Sequence, residues 1–269
     1  MTHAPATLEP LLADLAAECG DLDVLVAVVD NAGWDLSTPA EGWAVRDQVS
    51  HLAFFDDVAA MAITAPGEFR DIADAAVAGG DPMEEHLLKG RALRGDEVLA
   101  WWRAARTRLQ SAAATLEPDA RVPWFGPPMG ARSFVSARIM ETWAHGTDVA
   151  DAMGVTRKPT DRLHHVAHLG VRARPFSYAV RGLEPPLDSV RVQLTGPSGA
   201  QWSWEGADTD VVRGSALDFC LVVTQRRHVD DTDLVVTGRH ATEWMAIAQA
   251  FAGPAGPGRQ PLGAPGRRP

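Results

Sequence analysis

Two side chains that commonly bind metals lie one helical turn apart in the segment METWAHGTDVADAMG. Glu141 and His145 occupy positions i and i+4, so a helix would project both from the same face. A carboxylate and an imidazole in this arrangement can bind one divalent metal ion, with zinc as the first candidate. Because two ligands hold a metal only weakly, a third has to come from another part of the chain.

His51 is the best candidate for that third ligand. It lies in RDQVSHLAFFDD, beside an apolar stripe that includes Val45, Leu52 and Ala53 and that is predicted to face the interior of a helix bundle. Facing helices of a bundle often build such metal sites. Spacing alone leaves the alternatives open, because such pairs occur by chance on solvated helix faces and a lone histidine is often a hydrogen-bonded core residue.

The first half of the chain has the apolar periodicity of helices joined by short loops. Thr7 is a candidate cap for the first helix and Gly20 a possible break in it. The segment PWFGPPMG cannot be helical. The pattern predicts an up-and-down bundle with helices over about 8–29, 43–64, 83–93, 96–116 and 133–153.

The pattern changes after Pro159, where a helix over 161–180 is followed by segments with a period of two. SVRVQLTG and QWSWEG are predicted as adjacent strands and DLVVTG as a third, with helices over 215–225 and 242–251. The fold class is therefore a two-domain chain, an all-α bundle followed by a small α+β domain. We expect the bundle over 1–158, the α+β domain with its leading helix over 159–253, and a disordered tail rich in Pro, Gly and Arg over 254–269.

The two metal-ligand segments also carry a family resemblance. GWAVRDQVSHLAFFDDVA and ETWAHGTDVADAMG resemble the DinB-like metal-binding bundles, and within them the actinobacterial branch of mycothiol-dependent maleylpyruvate isomerase. The resemblance covers nearly the whole chain, including GSALDFCLVVTQRRH. It implies a DinB-like N-terminal bundle with a His, Glu, His zinc site and a smaller α+β domain. His51, Glu141 and His145 fall on the three ligand positions of that family.

Three protein ligands leave zinc an open coordination position, which is typical of catalytic rather than structural sites. Such an ion lowers the pKa of bound water towards ~7 and deprotonates a bound thiol. The resemblance implies a metal-dependent enzyme, isomerase or transferase-like, that uses a low-molecular-weight thiol such as mycothiol on a small electrophilic substrate. Two alternatives stay open: a metal-hydroxide hydrolase, and a non-catalytic binding or stress module that the metal stabilises.

Carboxylates close to the predicted ligands could orient the imidazoles, because metal-bound histidines usually donate their second N–H to a carboxylate or a carbonyl. Asp47 precedes His51 by one turn, and Asp148 follows His145 by three residues. We therefore predict Asp47 and Asp148 as such partners. For Asp56 and its neighbour Asp57 the favoured interpretation is a solvated helix face.

An anionic substrate would need an arginine beside the metal, and the resembled isomerase supplies one from its C-terminal domain. Arg226 and Arg227 lie in the matching region, and Arg226 is the predicted catalytic residue. The alternative is that both arginines complement the dipole of a helix end. His164 and His168 form another i, i+4 pair, for which a structural or interface role is favoured. Tryptophans are more often core residues than binding platforms, and Trp143, between two predicted ligands in sequence but on a different helix face, is the exception worth testing.

Charge and composition limit the remaining function classes. The formal net charge of −10 argues against a general nucleic-acid-binding protein but not against small anionic ligands. The two cysteines form no C-x-x-C pair, and no apolar run reaches the ~20 residues of a membrane span. We expect a cytoplasmic monomer or homodimer with small-molecule and thiol partners, and neither nucleic-acid nor membrane partners.

Overall fold

The structure of the chain is a computed structural model that describes residues 7–77 and 82–263. The chain divides into two compact units, Met1–Arg157 and Lys158–Pro269. The N-terminal unit is helical, whereas the C-terminal unit combines helices with a small mixed sheet. These are the two fold types that the sequence pattern predicts.

Six helices form most of the N-terminal unit within the residues that the structure describes. Helix α2 packs against α4, α5 and α6, while α1 packs against α6, so that the apolar faces enclose one core. The largest buried side chains of this core include Trp102 and Phe134. The helices are α1 (Glu9–Val26), α2 (Val45–Thr64), α3 (Pro66–Val77), α4 (Pro82–Ala92), α5 (Gly95–Ala113) and α6 (Ala131–Ala152).

Three local features of this unit differ from the sequence pattern. Helix α1 continues through Gly20, and its N-cap is Leu8 without a side-chain cap, so Thr7 does not cap it. Helix α3 was not predicted, although it starts with a proline, which is favourable in a first helical turn, and buries Phe69. The non-helical PWFGPPMG segment forms an antiparallel hairpin of β1 (Arg121–Trp124) and β2 (Gly126–Gly130).

The C-terminal unit is built around a four-stranded sheet of β3 (Val190–Thr195), β4 (Gln201–Trp204), β5 (Ala207–Ser215) and β6 (Val235–Thr237). Its spatial order is β4-β3-β5-β6, with β3 parallel to β5 and the other pairs antiparallel. Every second residue of β3 is buried, as in a strand with one face against a core. The accompanying helices are α7 (Leu163–Arg172), α8 (Arg174–Ala179), α9 (Ala216–Val223) and α10 (Arg239–Ile247).

Two predictions for this unit were incomplete. The single helix expected over 161–180 is divided into α7 and α8 at Ala173, because Pro175 cannot continue the hydrogen-bond pattern of α7. Strand β5 was not predicted at all, although it is the central parallel partner of β3. Ser215 ends β5 and caps α9 by accepting a hydrogen bond of 3.0 Å from the Asp218 amide.

Residues 254–263 of the predicted disordered tail form no helix or strand. Arg259 Nε nevertheless donates to the carbonyl of Gln225, and the Leu262 amide donates to Asp231. Residues 264–269 lie outside the described residues, so disorder of the tail stays a prediction. In the part of the chain that the structure describes, none of the helices has the length and apolar character of a membrane span.

Candidate metal centre

The three predicted metal ligands lie on two packed helices of the N-terminal unit. His51 belongs to α2, while Glu141 and His145 lie one turn apart on α6. His51 and His145 are each only 8% exposed, and Glu141 is half-buried. Because all three side chains lie on packed helices, the cluster is part of the helix bundle rather than of a loop.

The ligand atoms of these side chains form one compact group. One nitrogen of each imidazole and one carboxylate oxygen all lie within 4.8 Å of one another. His145 Nε2 lies 3.3 Å from Glu141 Oε2, and the ring centroids of His51 and His145 are 4.4 Å apart. The geometry brings together the three residues that the sequence spacing and the resemblance selected.

The donor set of this cluster fits a divalent metal ion. Two neutral imidazoles and one carboxylate are preferred zinc ligands, and three of them leave a coordination position open. Among the side chains that the structure describes, those of residues 7–76 and 86–263, no fourth His, Cys, Asp or Glu joins the group. The cluster therefore has the ligand count of a catalytic-type site, and its most exposed member, Glu141, marks the side closest to solvent.

His145 is held by a residue that the sequence pattern did not indicate. Its Nδ1 lies 2.5 Å from Oε1 of Gln48, and Nε2 of Gln48 donates to Thr38 Oγ1 over 2.9 Å. Gln48 is completely buried in α2, one turn before His51. Its position on the same helix face as the predicted ligand on α2 could have indicated this role. A glutamine is, however, normally expected at the surface.

Aromatic rings pack around the two histidines that are candidate ligands. The Trp43 ring stacks on His145 with centroids 6.0 Å apart, and Phe55 lies 4.6 Å from the ring of His51. A third histidine, His86 of α4, is 5.3 Å from the His51 ring and is itself buried. Apolar walls of this kind limit the access of water and strengthen electrostatic interactions at the site.

Asp47 is engaged at the start of α2. Its carboxylate accepts hydrogen bonds from Arg91 Nε over 2.8 Å and from the Ala44 amide over 2.8 Å. Asp148 lies on α6 and is 1% exposed. The roles of Asp47 and Asp148 as hydrogen-bond partners of the metal-binding imidazoles stay predictions.

The interpretation of Asp56 as part of a solvated helix face was wrong. Asp56 is 1% exposed, and its carboxylate accepts hydrogen bonds from Arg138 Nη2 over 2.8 Å and from Trp102 Nε1 over 3.2 Å. A buried carboxylate is tolerated only when it is paired in this way. Asp57 remains partly exposed and pairs with Arg108.

The predicted Arg226 lies in the C-terminal unit, just beyond α9. Its Nη1 donates to the carbonyl of Thr224 over 2.6 Å, and Arg227 Nη1 donates to the carbonyl of Arg226 over 2.7 Å. The residue before them, Gln225, has a left-handed backbone conformation with φ of 58°. The catalytic role of Arg226 stays a prediction.

The second histidine pair packs against strand β4 of the C-terminal unit. Trp204 Nε1 donates to His168 Nδ1 over 3.1 Å, and the His164 ring makes an edge contact with Trp202. Burial lowers the pKa of both His164 and His168, which favours their neutral forms. Trp143 is buried in the N-terminal unit.

Comparison with known proteins places this architecture among characterised structures. Crystal structures of mycothiol-dependent maleylpyruvate isomerase and of a His-to-Ala variant of it match with TM-scores of 0.54 and 0.55 and sequence identities of 19% and 18%. The matches cover 82% and 84% of this chain, and 90% and 91% of those chains. At this low identity, the likeness shows a shared fold.

Sequence comparison gives closer relatives. Two uncharacterized proteins of Mycobacterium tuberculosis, from strains CDC 1551 / Oshkosh and H37Rv, are each 45% identical over 252 residues, covering 93% of this chain and 98% of each relative. The family model described as "Mycothiol maleylpyruvate isomerase N-terminal domain" matches residues 15–150, which include all three candidate metal ligands. The chain therefore belongs to the mycothiol maleylpyruvate isomerase N-terminal domain family.

Proposed function

We propose that this chain is a zinc-dependent enzyme that uses a low-molecular-weight thiol such as mycothiol on a small electrophilic substrate. The observation that carries the proposal is the cluster of His51, Glu141 and His145, whose ligand atoms lie within 4.8 Å of one another. A bound zinc ion would act as a Lewis acid that lowers the pKa of a thiol at its open position. The family and its fold favour a thiol, rather than water, as the group that binds at this open position.

The residues of this chain would bind and orient the reactants. His51, Glu141 and His145 hold the ion, and Gln48 fixes the ring of His145 from behind. The aromatic rings of Trp43 and Phe55 exclude water from this side of the histidines. A thiol that enters a dry, positively charged site is easier to deprotonate, which makes it a better nucleophile.

The protein's own thiols do not compete for this role. Cys19 and Cys220 are both buried free cysteines, and burial raises the pKa of the Cys19 thiol to about 12. Burial also raises the pKa of Cys220 well above its ordinary value. Both thiols are therefore protonated near neutral pH, so an external thiol is the natural nucleophile.

Arg226 is the residue that we propose for binding a substrate carboxylate, because a guanidinium recognises a carboxylate through two parallel hydrogen bonds. Replacing Arg226 with alanine should raise KM for a carboxylate-bearing substrate about 10- to 100-fold, the loss expected for a charge-assisted hydrogen bond. Zinc content should not change. The neighbouring Arg227→Ala variant is the matched control, and an equal effect of both substitutions would remove the specific assignment to Arg226.

The decisive experiment combines metal analysis with thiol titration. The purified chain should contain about one zinc ion, and isothermal calorimetry should detect mycothiol binding to the zinc-loaded chain but not to the chelator-treated chain. Turnover of an electrophilic substrate should then require both zinc and thiol. Absence of bound metal in zinc-supplemented preparations, or full metal retention in the His51→Ala variant, would refute the proposal.

The same experiment separates the two alternatives. Activity that persists in thiol-free buffer would indicate a metal-hydroxide hydrolase. A large loss of melting temperature on chelation, without thiol binding to the zinc-loaded chain, would indicate a metal-stabilised module without this chemistry.

A further inference from the structure

A chain of three hydrogen bonds links the loop before α2 to a metal ligand. The Thr38 hydroxyl donates to the Trp43 carbonyl over 2.9 Å, and Gln48 Nε2 donates to Thr38 Oγ1 over 2.9 Å. Oε1 of Gln48 then lies 2.5 Å from Nδ1 of His145. Gln48 is fully buried and Thr38 is 9% exposed, so water does not compete for these bonds.

The backbone carbonyl at the end of this chain fixes the direction of every bond in it. A carbonyl oxygen only accepts, so Thr38 must use its single hydroxyl proton on Trp43. Thr38 Oγ1 can therefore only accept from Gln48, which places the NH₂ group of the amide on that side. The amide oxygen of Gln48 then faces His145, and Nδ1 of His145 must carry the proton that it accepts.

We propose that Gln48 is a positioning residue that holds the proton of His145 on Nδ1, so that Nε2 is the nitrogen that faces the metal. His145 Nε2 is the ring atom that lies 3.3 Å from the carboxylate of Glu141. A metal ligand needs a lone pair on the coordinating nitrogen, and the hydrogen bond at the other nitrogen decides which one has it. This inference rests on the proposed function, because it assigns a role towards the same metal.

The loop before α2 holds the starting point of this chain in place. The Thr38 amide also donates to the Trp43 carbonyl, over 2.8 Å, and Ser37 forms an antiparallel bridge with Ala44. The Trp43 ring meanwhile stacks on the His145 ring at an interplanar angle of 17°. The loop thus fixes the His145 ring through stacking, and fixes its tautomer through Thr38 and Gln48.

The hydrogen-bond partner of this imidazole is a neutral amide, at a position where many metal sites have a carboxylate. Because Gln48 adds no charge, Glu141 is the one anionic member of the described ligand cluster. Gln48→Glu keeps an acceptor for Nδ1 of His145, whereas Gln48→Leu removes it at similar volume. A comparison of these two variants therefore separates the effect of losing the hydrogen bond from the effect of losing packing.

The first test is the zinc affinity of these variants, measured by competition with a chromophoric chelator. Gln48→Leu should weaken zinc binding about 10- to 100-fold, the usual effect of losing an outer-shell partner, while Gln48→Glu should recover most of the affinity. Gln249→Leu is the matched control, since Gln249 is a buried glutamine of the C-terminal unit. Wild-type affinity in Gln48→Leu would overturn the inference, as would equal losses in Gln48→Leu and Gln249→Leu.

The second test reads the tautomer in the metal-free chain by long-range ¹H–¹⁵N NMR of the histidine rings above pH 8. The wild type should show the His145 proton on Nδ1. Thr38→Val, a milder change, should populate the Nε2–H tautomer, because the Gln48 amide can then rotate and exchange the positions of its oxygen and its NH₂ group. A wild-type proton on Nε2 would overturn the inference, whatever the metal result. Failure of the wild type to bind zinc would refute the proposed function instead, and the tautomer would still be decided.

Discussion

The imidazole rings of His51 and His145 lie with their centroids 4.4 Å apart and tilted by 39°, although the two residues belong to different helices. This distance is set by the packing of α2 against α6. The candidate metal centre is therefore a property of the bundle core, and changes in helix packing should affect it together with stability.

Removing either histidine should abolish stoichiometric zinc binding. His51→Ala and His145→Ala each leave two ligands, so the loss of affinity should exceed the ~10- to 100-fold that an outer partner contributes. Zinc per chain after dialysis against a weak chelator is the measurement. His164→Ala, in the other histidine pair, is the control and should retain bound zinc. A His145→Ala variant that also retains zinc would contradict the assignment of the metal site.

Gly90 allows the close approach of α4 to α2. A Cβ atom added at Gly90 would lie 2.4 Å from the Ser50 side chain, next to His51 in sequence. Gly90→Ala should therefore destabilise the chain by about 1–3 kcal/mol through overpacking. Thermal or urea unfolding measures this change.

Gly20 provides the control for that substitution. It lies inside α1, and nothing lies within 4 Å of an added Cβ. Gly20→Ala should leave stability unchanged or raise it by up to about 1 kcal/mol, because alanine favours helix interiors. Equal effects of the two substitutions would show that α4 does not pack on α2 as closely as described.

The buried ion pair of Asp56 and Arg138 should matter more for stability than exposed pairs do. Both side chains are at most 5% exposed. Arg138→Met leaves an uncompensated buried carboxylate and should cost about 3–5 kcal/mol of unfolding free energy. Arg108→Met, which breaks the exposed pair with Asp57, should cost at most about 1 kcal/mol. Chemical denaturation compares the two variants, and similar losses would contradict the burial of Asp56.

The native thiols should resist alkylation near neutral pH. Burial, followed by the nearby charge of Asp56, raises the pKa of Cys19 from 9.0 to about 12. Iodoacetamide should therefore label neither Cys19 nor Cys220 at pH 8 until the chain is denatured. Rapid labelling of the native chain, detected by mass spectrometry, would contradict this.

The same shift predicts how stability depends on alkaline pH. The unfolded chain loses the Cys19 proton first, because its thiol pKa is near 9.0 while the folded one is about 12. The free energy of unfolding should therefore fall as the pH rises from about 9 towards 12. The fall should be smaller in Cys19→Ala, and an unchanged pH dependence in that variant would exclude Cys19 as its cause.

The sequence predicted which three side chains would cluster as candidate metal ligands because their signal is local. Glu141 and His145 share a helix face by their spacing, and His51 lies beside an apolar stripe of its own helix. The helical first half and the α+β second half were likewise readable from the change of period after Pro159. The bounds of α2, α5 and α6 differ from the prediction by only a few residues.

The features that the sequence did not predict depend on distant partners. Gln48 and Asp56 are polar residues of α2 and would be expected at the surface, but His145 and Arg138, far along the chain, give them buried partners. Strand β5 was missed because ADTDVVRGS has three polar residues in its first half and lacks alternation. Its pairing with β3 supplies the constraint that the local pattern does not.

X-ray absorption at the zinc K edge, before and after addition of mycothiol, tests the central claim most directly. The zinc-loaded chain should show only nitrogen and oxygen ligands, and the thiol should add one sulfur ligand at ~2.3 Å. The His51→Ala variant should give neither spectrum. A chain that holds no stoichiometric zinc, or a spectrum that mycothiol leaves unchanged, would contradict the account.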